Sequence, residues 1–445
     1  MTKLLRYLRS REWAVAVLAL AFIVVQVWLD LKSPEYMAEI TRLVQVEGST
    51  MPEILTAGGK MLACSLGSLL AAVATAVCSS FIAAGFGGTM RAKMFHKVQS
   101  FSMEEIGRFS TPSLITRSTN DVMQVQMLIV LGLQMLIKAP ITAAWAITKI
   151  AGKRWEWTAA TGVAILVLLA VVGICLLIAT PRFRRMQRLT DDLNRVSREN
   201  LSGLSVVRAY NAEAYQQDRF DVVNDTLTNN QLVAYRTMVF LMPTIQATMS
   251  GLSLAIYWIG AAVINSALMA DKIALFSDMM VFSQYAIMVV MAFMMLVMIF
   301  MILPRAQVAA SRINEVLDTE ASIEDGALEQ GKPGQTGEIE FRDVTFRYPD
   351  AEGSMLRHVS FSAHRGETAL IGSTGSGKST VINLIPRFYD ATWGEVLVDG
   401  VNVREYTTRA LRNKIGYVSQ RATLFGGTVT SNIAYGDNGR DRFRC

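Results

Sequence analysis

The sequence predicts an α-helical membrane domain of six transmembrane helices with long cytoplasmic extensions, followed by a partial α/β domain built around a glycine-rich loop. Three observations carry this expectation. Hydrophobic residues make up 51% of the 445-residue chain and charged residues only 18%, where an ordinary soluble chain carries about 25% charged residues. The apolar excess lies in runs before residue 304, and the rest reads like a soluble domain. A loop of alternating glycines and small polar residues then sits between an apolar run and a helix-forming run at residues 372–379.

Six runs meet the ~20 apolar residues that a spanning helix needs: residues 13–31, 54–86, 123–150, 157–180, 238–268 and 276–303. No cleavable signal peptide is expected, because the first run lacks a small-residue cleavage site and further spans follow it. Lys3, Arg6, Arg9 and Arg11 precede the first run, and Arg182, Arg184, Arg185 and Arg188 follow the fourth. Cationic flanks mark the cytoplasmic side, so the N-terminus, the long inner loops and the C-terminal domain are expected in the cytoplasm, with the bundle in the cytoplasmic membrane. The loop after the first run carries Asp30, Glu35, Glu39, Glu47 and Glu53, which suits the outside. Lys149, Lys153 and Arg154 disagree, since they fall in a loop that this topology places outside.

The net charge of +6 fits Lys and Arg on inner loops rather than nucleic-acid binding. Cys64, Cys78 and Cys175 lie in apolar runs and Cys445 is the last residue, with no metal-ligand spacing among them. The inner loops 87–121 and 181–236 are polar yet helically periodic, with Leu189, Leu193, Val196 and Asn200 recurring every three to four residues. They are expected to carry the spanning helices into the cytoplasm.

The expected organisation is a transmembrane domain over 1–317, a linker over 318–337 and the N-terminal part of a nucleotide-binding domain over 338–445. The linker is polar and holds Gly331, Pro333, Gly334 and Gly337. Strands are expected at 338–344, 367–371, 395–398 and 414–419, and helices at 378–388 and 408–413, a mixture that indicates an α/β domain.

The strongest motif is Gly372-Ser373-Thr374-Gly375-Ser376-Gly377-Lys378-Ser379. It fits G-x-x-x-x-G-K-S/T in full, after an apolar strand and before a helix. Glycines let successive backbone N–H groups turn inward on phosphate oxygens, and the following helix adds its positive end. Lys378 is placed to reach the β- and γ-phosphates and Ser379 to ligate Mg²⁺. The second part therefore reads as a partial α/β P-loop nucleotide-binding domain.

Around this loop lie Phe346-Arg347-Tyr348-Pro349, Gly416-Tyr417-Val418-Ser419-Gln420 and Leu424-Phe425-Gly426-Gly427-Thr428-Val429-Thr430-Ser431-Asn432-Ile433. Together they resemble the nucleotide-binding domain of ABC exporters. The membrane half is similar to the same family at Leu114-Ile115-Thr116-Arg117-Ser118-Thr119-Asn120-Asp121-Val122, at Gly203-Leu204-Ser205-Val206-Val207-Arg208-Ala209-Tyr210-Asn211-Ala212-Glu213, and at Lys138-Ala139-Pro140. The resemblance implies an ATP-driven multidrug or lipid half-transporter that must dimerise, with the Lys138 run leaning towards a heterodimer. It implies ATP and Mg²⁺ as cofactors, an adenine stack on Tyr348, loop contacts from Gly372 through Ser379 and Thr380, and a Mg²⁺ and attacking-water contact at Gln420. It places short docking helices at the tips of the inner loops, near residues 110–114 and 212–217. The family's signature segment, catalytic glutamate and switch histidine do not follow Gln420, so the resemblance also implies a hydrolytic site that is incomplete in this chain.

Two features bear on cargo. Met288, Met291, Met295 and Met298 share a helical face with Gln284, and methionine suits adaptable apolar contact, either with hydrophobic cargo or with lipid and neighbouring helices. Lys138 is the one clear charge deep in a span; it is either functional or a snorkelling side chain.

Overall fold

A computed structural model describes residues 2–45, 49–151, 153–268, 271–420 and 423–436. It divides into two compact units. One comprises residues 1–92 and 117–314, the other residues 93–116 and 315–445.

Among the described residues of the chain, six helical stretches are long and apolar enough to cross a membrane: Ser10–Gln45, Met51–Gln99, Thr111–Ala151, Trp155–Ser202, Glu213–Ser266 and Lys272–Asp318. Each covers one of the expected spans, except that the fifth ends at Ser266 and not at 268, and the stretches extend through the inner loops as their periodicity predicts. In the first unit, Ile23, Val27 and Leu31 recur every fourth residue on the first helix and are buried with Trp157, Leu168, Ile256, Phe282 and Val289. The Trp157 and Phe282 rings meet at 5.4 Å. The Tyr285 hydroxyl donates to the Leu31 carbonyl at 2.9 Å, giving its polar tip a partner in the apolar interior. The methionine face divides: Met288 packs on this core, while Met291 and Met298 are exposed.

The lysines that disagree with the charge rule have acidic partners. Lys149 pairs with Glu35 at 2.7 Å and Lys153 with Asp278. The positive charge at that end is thus offset locally. Lys138 is not a free snorkelling cation, since its Nζ lies 3.2 Å from Asp30 Oδ2.

The second unit holds a four-stranded antiparallel sheet of order β2-β1-β3-β4, with β1 at Ile339–Phe346, β2 at Leu356–Ala363, β3 at Trp393–Val398 and β4 at Val401–Asn402. Phe341 sits opposite Phe361 on β2, the rings stacked at 4.6 Å. Phe341, Val344 and Phe346 turn into a core completed by Val381 and Leu384 of the helix Lys378–Leu384 and by Tyr406 and Leu411. Burying one such phenylalanine contributes about 1.5–3 kcal/mol.

Two expectations need correction. The runs 367–371 and 414–419 are not strands. A strand needs a neighbour for its backbone N–H and C=O groups, and none lies beside these runs among the described residues. Ile371 and Val418 are accordingly 96% and 95% exposed. The helix expected over 378–388 is regular only to Leu384, and the one expected over 408–413 runs Thr408–Arg412.

The polar stretch 318–337 is pinned along the sheet. Leu328 donates its N–H to Glu405 O, and Thr407 donates to Leu328 O, both at 2.9 Å. Arg387, nearly buried, grips Asp390 with two nitrogens and donates to Glu324 O at 2.9 Å. Buried Asp399 accepts from Gly337 N at 2.7 Å and from Lys414 Nζ at 2.8 Å. Burial pushes Asp399 up, but Lys414 and the Gly337 and Glu338 amides outweigh it and hold the carboxyl below the usual aspartate range.

Candidate functional site

The glycine-rich loop is built by backbone that only glycine adopts at low cost. Gly375 and Gly377 have φ of +84° and +90°. Gly377 is the residue before the helix Lys378–Leu384, and no side chain caps that helix start. Its N–H groups are therefore open to an exogenous acceptor. A Cβ on Gly377 would come within 2.8 Å of Leu356 Cδ2, so the loop also packs closely on β2.

Lys378 folds back over the loop. Its Nζ donates to the carbonyls of Gly372 at 2.8 Å and Ser373 at 2.7 Å, and to Ser376 Oγ at 3.3 Å. A cation held only by neutral oxygens beside an uncapped helix start fits a polyphosphate, whose oxygens offer it stronger acceptors. Thr374, Gly375, Ser376 and Ser379 are exposed beside it.

Tyr348 follows β1 and is half-buried. Phe346 and Tyr389 meet it edge-on at 4.8 and 5.3 Å. Its hydroxyl lies 3.0 Å from Thr380 Oγ1. Thr380 is buried, so it braces the aromatic against the loop helix instead of facing solvent beside Ser379. Gln420 is exposed, and among the described residues no hydrogen bond joins it to Ser379. The segment that carries it is nevertheless tethered to the loop helix: Tyr417 donates its hydroxyl to Asn383 Oδ1 at 3.1 Å and packs edge-on against Phe388.

A third element joins the same unit. The helix Met103–Phe109 opens with a capping box, Ser102 with Glu105, and ends at Ser110 with φ +58°. Glu105 also accepts from Ser322 N at 2.9 Å. Burial raises Glu105, yet the Ser102 and Ser322 hydrogen bonds outweigh it and leave the carboxyl below the usual glutamate range. A pocket of about 220 Å³ lies between Glu104 of this helix and Phe346, Arg347 and Pro349 around Tyr348. The first inner loop carries two short helices, Met103–Phe109 and Thr111–Thr116, the second overlapping the expected 110–114. At the second inner loop the short helix is Leu204–Ala209, while 213–217 opens the long helix Glu213–Val239. The start of Met103–Phe109 was signalled in sequence by Ser-x-x-Glu at 102–105, an N-terminal capping box.

Comparison with known proteins agrees with this architecture. The family model described as ABC transporter transmembrane region matches residues 16–293, and that described as ABC transporter matches residues 356–443. The chain belongs to the ABC transporter family, with the membrane region and the nucleotide-binding region fused in one polypeptide. It is 38% identical over 407 residues to an uncharacterized ABC transporter ATP-binding protein of Mycobacterium tuberculosis, covering 91% of this chain and 69% of that one. It is 34% identical to an uncharacterized ABC transporter ATP-binding protein of Bacillus subtilis, over 85% of this chain and 65% of the relative. It is 30% identical to an ATP-dependent lipid A-core flippase of Aromatoleum aromaticum, over 80% and 58% respectively. The chain thus spans 69%, 65% and 58% of the lengths of these three relatives. Six span-length helices and this family make it a multi-pass membrane protein.

Proposed function

We propose that this chain supplies one half of a dimeric, ATP-driven exporter of hydrophobic small molecules across the cytoplasmic membrane, with the nucleotide site in the cytoplasm. The observation that carries this reading is Lys378 lying over the carbonyls of Gly372 and Ser373 in a loop of G-x-x-x-x-G-K-S sequence. In this reading Gly372, Ser373, Thr374, Gly375, Ser376 and Gly377 cradle the phosphates with their amides, and Lys378 swings from the carbonyls onto phosphate oxygens. Tyr348 stacks on adenine while Thr380 holds its hydroxyl. Ser379 and Gln420 would hold Mg²⁺. When bound, ATP and Mg²⁺ supply the energy of phosphoryl transfer that biases two states of the bundle. A heterodimer is favoured over a homodimer by the Lys138-Ala139-Pro140 run.

A second reading, a lipid flippase, is favoured by the likeness to the lipid A-core flippase. A labelled-lipid flip assay set against a dye-efflux assay, using the dimer, separates the two. Nucleotide binding is tested on the full chain in detergent with a fluorescent ATP analogue. Saturable binding that is lost in Lys378→Ala supports the reading, while equal binding by both proteins overturns it.

A further inference from the structure

Within the helical unit a cavity of about 400 Å³ is lined by Ile23, Gln26, Thr75, Gln134, Lys138 and Met295, among others. From its residues we infer that it is a binding site for an amphiphile with an anionic headgroup and an apolar tail.

Four observations converge on this cavity. First, Lys138 is the only charged residue among those lining it. Asp30 holds one side of the ammonium at 3.2 Å and is itself steadied by the Ser68 hydroxyl. An ammonium has three donors, and among the described residues Asp30 is the one partner of the Lys138 side chain, so donors remain for the cavity. Second, the side-chain amides of Gln26 and Gln134 are half-buried at the wall and have no hydrogen-bond partner among the described residues. Unsatisfied amides in an apolar setting favour a polar occupant. Third, Gln134 lies in a π-helical turn, Leu133–Ile137, that ends at Lys138. Such turns widen a helix and recur at functional sites. Fourth, polarity is graded along the first helix. Asp30, Gln26 and Ile23 are spaced three to four residues apart, so the apolar pole lies about 10 Å from the charged one along the axis. Asp30 stands at the end of the apolar run 13–31, the depth at which a headgroup meets the hydrocarbon.

A neutral drug would leave the Lys138 donors unmet, and a cation would face the ammonium. An anion on an acyl or alkyl body satisfies Lys138, Gln26 and Gln134 at one pole and Ile23 and Met295 at the other. Calling this ligand cargo rests on the export reading above; its binding does not.

The test is native mass spectrometry of the full chain without nucleotide, titrated with phosphatidylglycerol, phosphatidylcholine or monododecyl phosphate. Phosphatidylglycerol is expected to bind at least about fivefold more tightly than phosphatidylcholine, the ~1 kcal/mol typical of one basic residue near a membrane surface. Lys138→Met should erase that preference and Lys138→Arg should keep it. Because Lys138→Met leaves Asp30 without its cation, the pair Asp30→Asn with Lys138→Met provides a charge-neutral variant, which should also show no preference. Displacement of phosphatidylglycerol by dodecyl phosphate would support any tailed anion as ligand; retention against it would support a bilayer lipid. Equal affinity for the two phospholipids, or a preference that survives in the charge-neutral variant, overturns the proposal. Since no nucleotide is present, such a failure is separate from failure of the ATP site.

Discussion

The hydroxyl of Tyr348 lies 3.0 Å from Oγ1 of Thr380, so the aromatic after β1 and the helix after the phosphate loop are joined by a hydrogen bond. In the proposed nucleotide site, base and phosphate contacts would thereby share one frame. Thr380 is buried, and in the proposed site it would act through Tyr348 as a positioning residue. One neutral hydrogen bond is worth about 0.5–1.5 kcal/mol. Tyr348→Phe and Thr380→Val should each weaken binding of the ATP analogue by roughly two- to tenfold. The double variant should be no worse than either single one, which a double-mutant cycle on the full chain measures.

Removing the ring is a different perturbation. Base–aromatic stacking contributes about 1–3 kcal/mol. Tyr348→Ala should therefore cost more affinity than Tyr348→Phe, and it should cost as much for a GTP analogue if stacking alone is read. Titration of both analogues checks this.

Gly377 is constrained twice, by φ of +90° and by Leu356 Cδ2 at 2.8 Å from where a Cβ would stand. Left-handed backbone costs a non-glycine residue about 1–2 kcal/mol. Gly377→Ala should lower the melting temperature of the soluble unit and weaken nucleotide binding together. Leu356→Ala added to it should recover part of the binding loss but not the backbone strain.

Asp399 and Lys414 give the soluble unit a pH window. Asp399 is lowered in the fold, so its contribution is present above the unfolded value, about 3.9, and is lost as pH falls through the folded one. Lys414 is raised by its hydrogen bond to Asp399, so its contribution is present below about 10.4 and is lost as pH rises through the folded value. Acid titration followed by hydrogen exchange should show β3 losing its protection below about pH 4. Asp399→Asn should destabilise the unit at neutral pH and flatten that acid limb.

The tip helix Met103–Phe109 depends on Glu105, which closes the capping box and receives Ser322 N. Loss of a cap costs about 1 kcal/mol. Glu105→Ala should speed hydrogen exchange at residues 103–109 and 322, while leaving β1 and β3 protected.

The membrane half was legible because its signal is compositional. Runs such as 157–180 and 276–303 must be helical wherever their side chains point, since lipid offers no partner for a backbone N–H. The phosphate loop was legible because its chemistry is local: glycines at 372, 375 and 377 and a lysine at 378 suffice to recognise it. The helix Met103–Phe109 was missed, although Ser102 and Glu105 carry a capping-box signal for it.

The sequence by itself determined where the span-length helices run and where the glycine-rich loop and the aromatic Tyr348 stand in the chain, because each depends on short-range patterns. Only the tertiary structure decided what those patterns meet. Lys138 became half of an ion pair because Asp30, over a hundred residues away in sequence, packs against it. Lys149 and Lys153 became halves of ion pairs in the same way, with Glu35 and Asp278. The runs 367–371 and 414–419 have the apolar content of strands, but strand formation is a property of two backbones, and no partner lies beside them among the described residues. Charge pairing and strand pairing both depend on distance in space, which one-dimensional periodicity does not encode.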